Sequence, residues 1–196
     1  MKRALNKLAT AALLATGTLA LSHCGNDPVT NINAASVNPR QLAADSRAAL
    51  NTLCRQNPAA RRLRASAKGI IVFPVVTKGG LMIGGMGGNG ALIRNDGSIR
   101  DFYQTAGASY GLQAGVQQYG YALFLMDHSA FRNIDRANGW EVGSSPSLVI
   151  VDEGMAASLT NATLNKSTYA FFFNQRGLMG GLGLQGSKIT RIQPPR

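Results

Sequence analysis

The densest group of side chains able to do chemistry in this 196-residue chain is cationic: Arg55, Arg61, Arg62, Arg64 and Lys68. Guanidinium forks match the geometry of carboxylate and phosphate, so such a cluster points to recognition of anions. At helical spacing Arg61, Arg64 and Lys68 fall at i, i+3 and i+7 on one face, with Ala60, Leu63 and Ala67 on the adjoining one, which predicts an amphipathic helix with a basic side. Beside an anionic membrane each such charge contributes roughly 1 kcal/mol. The same pattern also fits a solvated face that serves only solubility.

Other motifs carry less. Gly85 to Gly90 and Gly181 to Gly186 both satisfy G-x-G-x-x-G, but the phosphate-binding mechanism needs a helix to open directly after it, and neither copy runs into a helical pattern. Gly107-Ala108-Ser109-Tyr110-Gly111 satisfies G-x-S-x-G, the nucleophile elbow. Leu112, Ala114 and Val116 then alternate with Gln113, Gly115 and Gln117 as in a half-buried strand, where an elbow needs a helix. His128 follows Asp127 directly, and no separate acid lies between Ser109 and that pair. Asp152 and Glu153 are neighbours that an extended chain would point to opposite faces, so they read as a charged turn. Asn161 and Asn165 head glycosylation-like triplets that read as polar loop. No catalytic residue, metal site or cofactor is expected, and the chain is read as non-enzymatic.

The elements that must position the basic cluster are two helices followed by strands. Asn38 is an N-cap, with Pro39 in the first turn and Gln41 completing a capping box, for a helix to about Leu53; Asn57-Pro58 repeats the signal for a shorter helix to about Lys68. From Gly69 the texture is β, with strands expected at 70–73, 81–83, 91–93, 99–103, 108–117, 121–126, 148–151, 169–173, 180–184 and 189–192, and a turn at Asn95-Asp96-Gly97. Asp127 would cap a short helix over 129–136, and 156–164 could hold another. Many of the 23 glycines lie inside apparent strands, where they mark tight coiling or close backbone approach. The expected fold is α+β: a strongly curved antiparallel sheet, barrel- or sandwich-like, with the N-terminal helices packed against it. Lys78 to Gly87 and Arg176 to Gly183 echo each other, which suggests related sheet halves or shared composition.

Residues 1–24 have the form of a secretory signal: basic Lys2, Arg3 and Lys7, an apolar run from Ala9 to Leu21, then small residues. The run is shorter than the roughly 20 residues a spanning helix needs. Leu21-Ser22-His23-Cys24 resembles the bacterial lipobox, with His23 where that pattern has Gly, Ala or Ser, and the resemblance implies lipidation of Cys24. With Gly25 rather than an aspartate next, it also implies outer-membrane sorting. An unlipidated Cys24 could instead pair with Cys54, the only other cysteine. Residues 25–36 read as a flexible tether, 37–193 as one domain and 194–196 as a tail. Removing the three signal cations takes the 20 Lys and Arg to 17 against 9 acids, a formal +8 that favours anionic partners. Nucleic acid is not expected, since no signature of such a module appears.

Four segments together resemble the SYLF domain, a module of bacterial lipid-binding proteins and of eukaryotic proteins that bind phosphoinositides or associate with actin. They are Ala67 to Pro74, Lys78 to Leu81, Gly107 to Gly115 and Asn174 to Ser187, in that order. The resemblance runs over about 37–192. It implies that both enzyme-like motifs are sheet glycines, and that anionic membrane lipids bind a basic N-terminal helical surface. The matching positions are Arg55, Arg61, Arg62, Arg64 and Lys68; Lys78 and Arg176 join them because their glycine-flanked turns could share a rim. The function expected is an envelope lipoprotein that binds anionic lipid headgroups. The alternative is a protein-interaction module of the envelope, including binding to a host filament.

Overall fold

A computed structural model describes residues 37–134, 140–142, 148–151 and 167–195. The export segment with Cys24, the tether, Asp152-Glu153, the 156–164 helix and both glycosylation-like triplets lie outside the described residues.

Helix α1 spans Pro39–Gln56 and α2 Pro58–Ser66. The Asn38 side chain accepts from the backbone N–H of Arg40 and Gln41 at 3.0 and 3.1 Å, as an N-cap should. The expected capping box is only half formed, because the Gln41 amide turns outward and donates to Asp45 Oδ1 at 2.8 Å. Asn57 closes α1 and opens α2: its N–H donates to the Leu53 carbonyl while its side chain accepts from Ala59 and Ala60.

Five strands follow in one sheet: β1 (Gly69–Ile93), β2 (Ile99–Leu125), β3 (Trp140–Val142), β4 (Leu148–Val151) and β5 (Thr168–Ile192). The short strands expected from the sequence are merged, three of them into β1 alone. The order is β1-β2-β5-β3, with β4 also on β5; β4 runs parallel to β5, and every other pairing is antiparallel. Among the described residues β1 pairs only with β2, so the sheet does not close and the barrel form of the expectation is corrected.

The sheet bends instead. A straight strand of 25 residues would run about 80 Å. β1 turns so sharply that a Cβ on Gly80 would lie 2.3 Å from the Gly84 Cα, and one on Gly90 would lie 2.4 Å from the Val72 carbonyl oxygen. The second half of β1 therefore lies against its first half. Glycine allows that approach without interrupting the ladder, which shifts register between Leu81 and Ile83.

Both faces of the opening stretch of β1 are buried, which accounts for the unbroken apolar run Ile70 to Phe73. Ile70 and Val72 join Phe124, Ala122, Tyr169 and Phe171 under Leu50, Leu53 and Leu63 of the helices, in a cluster that also takes in Ile93 from the other end of β1. Ile71, Phe73 and Val76 face inward with Leu92, Tyr103, Leu123 and Ile189. That inner layer continues as a cross-strand aromatic row, Phe73 on Tyr121 at 5.7 Å and Tyr121 on Phe172 at 4.8 Å. Helix α3 (His128–Ile134) closes it with Ala130 and Ile134.

Candidate functional site

Helix α2 is oriented by its small apolar face. Ala59, Ala60 and Leu63 are buried, with Ala67 just beyond, and this leaves Arg61, Arg62 and Arg64 exposed. Two cations nearby are held by neutral oxygens: Arg55 donates to Thr52 Oγ1 at 2.9 Å, and Arg64 to Asn51 Oδ1 at 2.8 Å. Among the described residues none of Arg55, Arg61, Arg62, Arg64 or Lys68 forms an ion pair, so their positive field is not neutralised locally. Arg64 also sits by Cys54, which is buried in the helix–sheet cluster. Burial pushes the Cys54 thiol up from its ordinary range, opposed by the hydrogen bond and charge of Arg64 and, less, by Arg61.

Lys68 does not continue the helical face. α2 ends at Ser66, and the Lys68 N–H donates to the Leu125 carbonyl at 2.7 Å, placing it at the entrance to β1. There it lines a cleft of about 1080 Å³ with Arg94, Asn95, Asp96, Arg100, His128, Phe131 and Arg132. The cleft is built from three places. The β1–β2 turn supplies Arg94 to Asp96, closed by Arg94 N–H to Ser98 O at 2.9 Å and Ser98 N–H to Asp96 Oδ1 at 2.8 Å. Arg47 of α1 holds that turn by donating to the Gly97 carbonyl at 3.0 Å. The start of β2 adds Arg100, and α3 supplies His128, Phe131 and Arg132, with Asp127 accepting from the Ala130 N–H at 2.9 Å.

The cleft is electropositive, lined by the four cations Lys68, Arg94, Arg100 and Arg132 and by one carboxylate, Asp96. The Ser98 hydroxyl and N–H hold that carboxyl below its usual range, so it stays ionised. Arg100 has its own commitments: its Nε lies 3.2 Å from Asp101, and its guanidinium sits 5.4 Å from the Phe131 ring centroid. The sequence reading missed Arg94, Arg100 and Arg132, and weighed His128 only against the nucleophile-elbow motif. His128 is exposed, at the start of α3, and it also lines the cleft.

Lys78 and Arg176 share a rim but not a face. Lys78 pairs with Gln117 and Arg176 with the next residue, Gln118, so they project from opposite sides of the sheet. They lie away from the helices, towards the bend. The echoed glycine segments around them run side by side along β2: Leu81 pairs with Ala114, and Ala114 with Gly180.

The enzyme-like motifs fall inside long strands. Gly85 to Gly90 lies in β1, Gly107 to Gly111 in β2 and Gly181 to Gly186 in β5, and no helix follows directly on any of them. Among the described residues no helix is long and apolar enough to cross a membrane, and no group of His, Cys, Asp and Glu is placed to hold a metal.

The cations of α2 and of the cleft gather at the helical end of the bent sheet. Residues 106–193 match the family Ysc84, described as Las17-binding protein actin regulator. That stretch is a Ysc84 (SYLF) domain match, in agreement with the resemblance carried by the chain's motifs. It takes in most of β2 and everything to the end of β5, while α1, α2 and β1 lie before it. No curated protein matches the chain.

Proposed function

We propose that this chain is a non-enzymatic envelope lipoprotein, exported by residues 1–24, anchored through Cys24 in the outer membrane, and binding anionic lipid headgroups through α2 and the adjoining cleft. The observation that carries the reading is the run of exposed cations that have no acidic partner among the described residues, continued by Lys68 into the Arg94–Arg132 cleft. Phosphate-bearing headgroups of acidic phospholipids or phosphoinositide-like lipids fit that chemistry. One acyl chain gives only marginal membrane attachment, and a basic surface supplies the second signal.

Flotation of the unlipidated protein with vesicles tests the headgroup claim. Binding is expected on acidic vesicles, to weaken with salt, and to fall on Arg61→Glu/Arg62→Glu. Equal binding to neutral vesicles, or indifference to salt, would refute it. Arg62 is the better partner for Arg61 here than Arg64, which also contacts α1. The export half is checked by mass spectrometry of the mature N-terminus, where a diacylglyceryl Cys24 is expected.

A second reading rests on the description of the matched family, which names a protein-binding actin regulator. It makes the same domain a module for a protein partner, and capture of that partner would survive the Arg61→Glu/Arg62→Glu reversal.

A further inference from the structure

The bend of the sheet presents apolar side chains to solvent at the end of the molecule away from the helices. Leu81, Ile83, Val116 and Leu178 are 75%, 70%, 60% and 89% exposed, high values for large aliphatics lying so near one another. Val116 and Leu178 are direct partners across β2 and β5, so their side chains stand side by side. Val116 pairs on its other side with Gly79, and Leu81 is the next residue of β1 on that face. The shared parity of Gln118 and Val116 puts Arg176 on this face too, and Lys78 emerges at the same rim.

We propose that this bend is a second, membrane-inserting surface whose occupant is the interfacial region of an anionic lipid bilayer. The charge pattern selects that occupant. The three segments that build the bend, 74–90, 104–120 and 172–187, contain no aspartate or glutamate, and their only formal charges are Lys78 and Arg176. Aliphatic side chains can enter the acyl boundary while long cationic stems reach back to the headgroups. Docking on a second copy would bring like charges together, with no acid on either side to offset them. Leu178, Val116 and Leu81 lie five, six and nine strand residues from Phe173, Ala122 and Val72 of the helix–sheet cluster, away from α2, so this surface stands or falls separately from the headgroup reading.

Flotation with phosphatidylglycerol–phosphatidylcholine vesicles at about 0.1 M and about 1 M salt separates the two surfaces, because the screening length falls from roughly 10 to 3 Å between them. The native protein should keep a salt-resistant bound fraction. Leu81→Ser/Leu178→Ser should lower that fraction's partition coefficient by about tenfold or more, since each buried leucine contributes a factor of that order. Its melting temperature should be unchanged, because both side chains are exposed in the folded protein. Salt-resistant binding by the double variant equal to the native protein's overturns the proposal, as does a native protein with none. A double variant that changes only the protein's own association in solution would assign the patch to a second copy and overturn it equally. Arg61→Glu/Arg62→Glu completes the set: loss of low-salt binding in that variant alone leaves the headgroup reading standing and this one refuted, and the reverse pattern does the opposite.

Discussion

Asp127 sits where the cleft depends on a single side chain. It caps α3, the helix that brings His128, Phe131 and Arg132 to the cleft wall, and its carboxyl is held below the usual range first by the Ser129 hydroxyl. Asp127→Ala should cost about 1 kcal/mol of stability, the usual worth of an N-cap. Because the folded-state pKa is depressed, the cap's contribution is fully present above the ordinary aspartate pKa of about 3.9 and is lost as pH falls through the folded value. Urea melts at neutral pH and well below the ordinary aspartate pKa should therefore show the native protein and the alanine variant converging in acid; a constant gap would mean that the charge has no part in the cap. Caps of this kind were legible in the sequence, since Asn38, Asn57 and Asp127 each act on N–H groups two or three residues ahead. The cleft was not. Lys68, Arg94, Arg100 and Arg132 are scattered over more than sixty positions, and only the path of β1 gathers them.

That path belongs to the scale of elements. Apolar runs separated by glycine look like several short strands, because turns and strand-interior bends use the same residue. What distinguishes them is whether the ladder continues through the glycine, and that depends on the register with β2, which local spacing does not encode. Here it continues, so the two ends of β1 meet at Ile70 and Ile93 in one cluster and the turn at Asn95 to Gly97 arrives beside Lys68. The helices and the α+β class were readable from capping and periodicity, and the strong curvature from the strand-interior glycines; that the sheet stays open in place of a barrel was not. Gly90 tests the bend. A Cβ there would also come within 2.7 Å of the Phe73 ring, and the backbone of Val72 cannot swing aside as a side chain would. Gly90→Val should destabilise the protein by about 1–3 kcal/mol through overpacking, read as a lower denaturation midpoint. Gly97→Ala lies in open space but at φ +81, so it should cost stability through backbone strain alone.

At the scale of the whole molecule, the fold sets two different chemistries at two ends. Doubling β1 back on itself puts its termini, the basic helix and the cleft together, and leaves the apolar bend at the far side of the inner core. A domain anchored by its N-terminus and facing a bilayer with α2 would point the bend away from that bilayer. With both surfaces active, one protein can hold two vesicles, and turbidity of acidic vesicles should rise on adding the unlipidated native protein. Arg61→Glu/Arg62→Glu and Leu81→Ser/Leu178→Ser should each abolish the rise, the first while keeping salt-resistant binding and the second while keeping salt-sensitive binding. Both surfaces could instead meet the same bilayer only if the domain lay on its side. Full binding by the native protein without any rise in turbidity would establish that posture and exclude the end-to-end one.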